Sequence, residues 1–122
     1  MPFFKRAQLT ASDLQHAGVA EFRDTDRLTV CADNLIPHVL VHEGLLVLDA
    51  DLAARIENGT HLVHDSPEEV ELRACAVHAV ELLADSCGRR LCPAQIDMIL
   101  WTRGQQPRFK ARPRPRARST AY

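Results

Sequence analysis

Ser66-Pro67-Glu68-Glu69-Val70-Glu71-Leu72-Arg73-Ala74-Cys75-Ala76-Val77-His78-Ala79-Val80-Glu81-Leu82-Leu83-Ala84 is the stretch that decides the fold class. A serine accepts hydrogen bonds from free helix amides, and proline is preorganised for the first helical position. Glu69 stands at capping-box spacing from Ser66. A helix therefore starts at Pro67 and runs to about Cys87, where Gly88 stops it. Between Ala74 and Ala84, nine of eleven residues are apolar or small; only His78 and Glu81 interrupt. A helix apolar on nearly all sides is expected at the centre of its domain.

Upstream, Phe3, Ala7, Leu14 and Ala17 form one helical stripe and Phe4, Ala11 and Leu14 a second, with Gly18 as the stop. Asp24 to Val30 reads as a loop leading into a short extended piece. Pro37 fits the first turn of a helix that begins near Asn34 or Ile36 and reaches His42, with Gly44 beyond it. Asp33 then lies at or just before that helix's start. Asp49 or Asp51 caps a short helix through Ile56, ended by Asn58-Gly59. Downstream, Pro93 opens a helix through Thr102 with an apolar stripe of Ile96, Ile99 and Leu100, while Asp97 and Trp101 lie together at four-residue spacing. Beyond Gly104 the chain alternates Arg and Pro, which excludes a core helix or a central strand. Extended chain, packed on the body or disordered, is expected there. There is no internal repeat and no alternating strand set, so the fold class is all-α. Residues 1–102 form the helical body and 103–122 a basic tail.

A chain of 122 residues fits one domain and can bury a core without disulfides. Aromatics make up only 5%, so Leu, Val, Ala and Ile must build that core. The net charge of −1 hides an asymmetry: residues 1–102 carry all 16 acids and 8 of the 15 bases, and residues 103–122 carry 7 bases and no acid. Such a tail can bind a polyanion or fold back on its acidic body. No apolar run approaches the roughly 20 residues that span a bilayer. Met1-Pro2-Phe3-Phe4-Lys5-Arg6 lacks the order of a signal peptide, and a cytoplasmic protein is expected. Cys31, Cys75, Cys87 and Cys92 form no Cys-x-x-Cys pair and read as reduced, partly buried thiols. His78 has no partner histidine at four residues, so no metal site is expected. Glu69 and Arg73 have the spacing of a helical ion pair.

Two carboxylates interrupt apolar segments. Asp33 follows Thr29-Val30-Cys31-Ala32 and precedes Ile36-Pro37. It reads either as a helix cap or as a functional carboxylate, and one residue can fill both roles. Asp97 reads as a solvated helix position or as a polar group in a site. Trp101, one turn on, is either core or a stacking wall for a planar base. Lys5 and Arg6 lie on a solvated face or bind phosphate. No Gly-rich phosphate loop or nucleophile elbow is present.

Four collinear blocks resemble the queuosine-salvage proteins, the queuosine 5′-phosphate N-glycosylase/hydrolases. Phe3-Phe4-Lys5-Arg6-Ala7-Gln8 is similar to the family's aromatic-Lys-Arg-Ala-Gln helix start. Leu28-Thr29-Val30-Cys31-Ala32-Asp33-Asn34-Leu35-Ile36-Pro37-His38-Val39-Leu40 looks like its Thr-Met-Phe-Ala-Asp-Tyr-Arg-Val-Pro-Gln-Val-Leu block. Glu69-Val70-Glu71-Leu72-Arg73-Ala74-Cys75 is similar to its Glu-Val-Glu-Ile-Arg-Ala-Cys helix. Ile96-Asp97-Met98-Ile99-Leu100-Trp101 is similar to its Asp-x-x-Leu-Trp segment, and the chain ends on Tyr122 after an Arg-x-Arg run, as members tend to. The resemblance covers nearly the whole chain but only the C-terminal part of the family.

The resemblance implies an all-α fold related to the DNA glycosylases. It implies hydrolysis of the N-glycosidic bond of queuosine 5′-monophosphate, with release of queuine. Asp33 matches the family's catalytic Asp, and Asp97 its base-contacting Asp. By position, Cys31, Met98, Trp101 and Thr102 are also implied in substrate binding, with Lys5 and Arg6 as phosphate contacts. Cys31 stands where the family has an aromatic residue, Met98 where it has another, and Thr102 where it has an Asp. No cofactor is implied. The expected partner is a small nucleotide; neither nucleic acid nor a membrane is expected, and nothing in the pattern fixes an oligomeric state. Two other readings stay open: an inactive or truncated family member, and a small helical nucleic-acid-binding protein using its basic tail.

Overall fold

A computed structural model describes residues 2–122. Six α-helices follow one another among the described residues: α1 (Lys5–His16), α2 (Leu35–His42), α3 (Ala50–Glu57), α4 (Pro67–Ser86), α5 (Pro93–Gly104) and α6 (Pro107–Lys110), with a single 3-10 turn at Thr25–Arg27. These residues form no strand; one isolated parallel bridge pairs Leu62 with Ala117. The all-α class read from the sequence is the class observed. No helix among the described residues is long and apolar enough to cross a membrane.

The caps follow the sequence with one difference. Asp49 caps α3 by accepting the Asp51 and Leu52 amides. Ser66 Oγ accepts the Glu69 amide at the start of α4. The Glu69 carboxylate does not return to the Ser66 amide, as a capping box requires. Its Oε2 accepts the Asp65 amide at 3.1 Å, while the Ser66 amide donates to the Val63 carbonyl. Asp65 has φ +60°, and this reversal of the chain presents its amide to Glu69 instead.

The centre of the molecule is α2, not α4. Every residue of α2 from Leu35 to Leu40 is buried, and the helix packs against both α4 and α5. α4 contributes one narrow stripe, Leu72, Ala76, Val80 and Ala84, while Glu71, His78, Leu82 and Asp85 face solvent. The alanines and Cys75 on its flanks made it read as apolar all round; small residues tolerate partial exposure at little cost. α5 buries Ile96 and Leu100 and leaves Ile99 outside the core, contrary to the stripe expected. Gly104, the last residue of α5, lets this helix approach α2 closely. A Cβ there would stand 2.9 Å from Val39 Cγ2 and 3.0 Å from Leu35 Cδ1.

The segment after Gly104 packs on the body. Pro107 opens the one-turn helix α6, where its missing N–H needs no partner. Phe109, only 2% exposed, joins the main core, its ring near those of His38 and His42 on α2. The His38 Nε2 atom lies 2.8 Å from the Phe109 carbonyl oxygen. Arg103 and Arg108 both pair with Glu43. Extended chain was expected from Gly104 onward; a turn of helix intervenes because Phe109 supplies an apolar anchor. The remainder then runs past Leu62, whose amide donates to the Arg116 carbonyl at 2.8 Å, to Tyr122 against α4.

Candidate active site

The residues from Thr29 to Asp33 lack regular structure, yet three helices hold backbone groups of this segment. Gln8 on α1 brackets Thr29: Oε1 accepts the Thr29 amide at 2.8 Å, and Nε2 donates to Thr29 Oγ1 at 2.9 Å. The Cys31 amide donates to Asp97 Oδ1 at 3.1 Å. The Ala32 carbonyl accepts from Arg73 Nε at 2.9 Å. α1, α4 and α5 thus hold one short segment in place.

Asp33 follows directly and caps α2. Its Oδ1 accepts the Leu35 amide at 2.8 Å and the Ile36 amide at 3.1 Å. Those two bonds fix the plane of the carboxylate. Oδ2 has no protein donor among the described residues, and Asp33 also lines a cavity of about 260 Å³. The cap read from the sequence is thus observed, on a half-buried carboxylate that also borders a cavity.

The same cavity is lined by Lys5, Leu9 and Asp13 from α1, Cys31 and Ile36, and Asp97, Met98 and Trp101 from α5. It adjoins a larger groove of about 610 Å³ between α1 and α5, the two sharing Leu9, Asp13, Cys31, Asp97 and Met98. Six of the residues singled out from sequence come together here: Lys5, Cys31, Asp33, Asp97, Met98 and Trp101. Arg6 and Thr102 do not. Arg6 lines a separate concavity with His64 and Asp65, and donates to the Thr120 carbonyl at 3.0 Å. Thr102 is exposed away from the lining. Each lies one residue, about 100° of helix, from a residue that does line the cavity. Leu9 and Asp13 were missed in the sequence, although Lys5, Leu9 and Asp13 share one face of α1 at four-residue spacing.

Burial shapes the charges. The Asp97 carboxyl is pushed up to about 6, first by desolvation and further by the Asp33 charge, against the opposing pull of the Cys31 amide and Lys5. Burial, followed by the nearby Asp97 charge, pushes the Cys31 thiol up to about 12. Cys31 is therefore a neutral wall and not a thiolate nucleophile. Trp101 is 49% exposed, so its indole is not core; it stands as an accessible wall one turn from Asp97. No group of three or more His, Cys, Asp or Glu side chains among the described residues could hold a metal ion.

An all-α domain that sets the Asp13, Asp33 and Asp97 carboxylates and an indole around one small cavity has the make-up of a site for a small polar molecule. Comparison with known families then places it. The sequence pattern of the queuosine salvage protein family matches residues 1–122, and the chain belongs to that family. A queuosine 5′-phosphate N-glycosylase/hydrolase of Sphaerobacter thermophilus is 37% identical, over 98% of this chain and 39% of the relative. Its counterpart in Dictyostelium discoideum is 32% identical over 98% of this chain and 40% of the relative. The counterpart in Bos taurus is 37% identical over 68% and 26%. The chain thus spans about two fifths of the length of the first two of these relatives.

Proposed function

We propose that this chain hydrolyses the N-glycosidic bond of queuosine 5′-phosphate in the cytoplasm, releasing the free base, queuine. The observation that carries the reading is the state of Asp33. One carboxylate oxygen is tied to two helix amides, the other has no protein donor among the described residues, and Asp33 lines a cavity with Asp97 and Trp101.

The chemistry follows from what each group can do. Cleavage of a ribosyl C–N bond passes through a state with positive charge on the sugar. A fixed carboxylate beside that carbon stabilises the charge, or attacks it, without having to reorganise. The electron pair of the C–N bond leaves with the base. Water adds to the sugar carbon and loses a proton, and the base gains one. Asp97, held near 6, is a suitable partner for the base: it can accept from ring and exocyclic N–H groups when ionised and donate when protonated. Trp101 offers a face for stacking a planar base. Lys5 lines the cavity with Asp33 and is the candidate phosphate contact; Arg6 faces elsewhere. The basic segment speaks less for a polyanion site than its charge implies, since Arg103 and Arg108 are already paired with Glu43.

The test is chromatographic detection of free base after incubation with queuosine 5′-phosphate, for the native chain and for Asp33→Asn. Asparagine is also a good cap, so this variant keeps α2 while losing the charge. Loss of at least about 100-fold in rate is expected. Full activity of Asp33→Asn would remove Asp33 from the mechanism.

A further inference from the structure

We propose that Arg73 is a positioning residue for Asp33, acting with Glu69 and the terminal Tyr122 as a clamp on the Ala32–Asp33 peptide. The inference deepens the reading above and rests on it for its catalytic consequence.

Arg73 and Glu69 are 4% and 2% exposed, so a complete ion pair is buried inside the molecule. Taking two charges from water costs several kcal/mol per ion, and an apolar pair of similar size often stabilises a fold as well or better. Stability is therefore a weak reason for this pair, and its geometry supplies another. Nη1 donates to Glu69 Oε1 at 3.1 Å, which leaves Nε to donate to the Ala32 carbonyl at 2.9 Å. That carbonyl belongs to the peptide immediately before Asp33. Ala32 is fully buried, so the peptide cannot turn to water for a substitute donor.

The guanidinium is itself fixed from both sides. Its central carbon lies 4.2 Å from the Phe3 ring centroid and 4.3 Å from that of Tyr122. Tyr122 also donates its hydroxyl to Glu69 Oε1 at 2.8 Å, and Glu69 Oε2 accepts the Asp65 amide. Every oxygen of Glu69 is therefore used, and the fork of Arg73 has one allowed orientation. Residues near both chain ends and from α4 converge on the one guanidinium that holds the Ala32 carbonyl, one residue from the carboxylate that caps α2. A flexible ammonium could satisfy Glu69, but it cannot present a planar fork between two rings and donate to Ala32 at the same time. The arrangement sets where the Asp33 carboxylate sits relative to the cavity. The terminal segment is thereby part of the site's support, although it does not reach the larger groove.

Arg73→Lys tests this in the full chain with two readouts. The first is steady-state base release from queuosine 5′-phosphate, where kcat should fall about 10- to 100-fold with KM within about 3-fold of the native value. The second is amide hydrogen exchange, which needs no activity. The Leu35 and Ile36 amides are capped by Asp33, so their exchange should quicken about 10-fold relative to Val39 and Leu40 in the same helix. A folded Arg73→Lys chain with native kcat and native exchange at Leu35 and Ile36 would overturn the proposal. So would a uniform rise in exchange across α2 and α4, which assigns Arg73 a purely structural role. If the native chain releases no base, the hydrolase reading alone fails, and the exchange pattern still decides the positioning role. Should Arg73→Lys not fold, Tyr122→Leu removes one ring and the Glu69 bond from a half-buried terminal residue and is read by the same two measurements.

Discussion

Asp97 is the residue whose environment most contradicts its chemistry: a half-buried carboxyl with one hydrogen bond among the described residues, from the Cys31 amide, to hold its charge. An acid whose folded pKa lies above its unfolded value favours the fold only while protonated. That stability is complete below about pH 4 and is lost as the pH rises through about 6. Asp97→Asn keeps an oxygen for the Cys31 amide and removes the ionisation. Thermal denaturation should therefore show the variant more stable than the native chain at pH 7.5, by about 2 kcal/mol, with the gap closing toward pH 4. A gap that persists unchanged at pH 4 would show that desolvated charge is not the cause. At this scale the sequence was informative in part. Asp33 was legible as a cap from its place before Pro37, whereas the catalytic role proposed for it came only through resemblance. The choice of Lys5 over Arg6 could have been made from helical spacing alone. The contact of Asp97 with the Cys31 amide could not, because it joins residues 66 apart in the chain.

The elements owe their arrangement to α2, which α4, α5 and α6 all contact. Its closest approach to α5 occurs at Gly104, where Val39 is a stiff β-branched neighbour. Alanine has the better helix propensity, by up to about 1 kcal/mol, but its methyl group has no room here. Gly104→Ala should lower stability by about 1–3 kcal/mol in urea denaturation; a stabilised variant would mean that the helices separate at no cost. Phe109 anchors α6 in the core, and Phe109→Ala should cost about 3–5 kcal/mol in the same assay. A cost below about 1 kcal/mol would mean that the segment after Gly104 is not part of the folded core. Helix starts were readable from Ser66, Asp49 and the first-turn prolines, since capping is local. The order of burial was not, because α4's small residues count as apolar whether they face core or water. α6 escaped notice because a run of Arg and Pro masks a single buried phenylalanine.

Across the whole molecule, folding offsets part of the separation of charge along the chain. The acidic body receives the basic end, with Arg103 and Arg108 on Glu43 and the terminal tyrosine on Glu69. The result is an all-α domain in which both ends of the chain support one short segment, Cys31-Ala32-Asp33, beside a cavity that adjoins a larger groove. The chain covers about two fifths of the Sphaerobacter thermophilus and Dictyostelium discoideum relatives, yet it contains the two carboxylates and the indole on which the proposed chemistry depends. The most direct measurement is release of free base from queuosine 5′-phosphate by the native chain and by Asp33→Asn, both verified as folded by circular dichroism. The account predicts release by the native chain and loss of at least about 100-fold in the variant. Equal release by both, or none by the native chain, would contradict it.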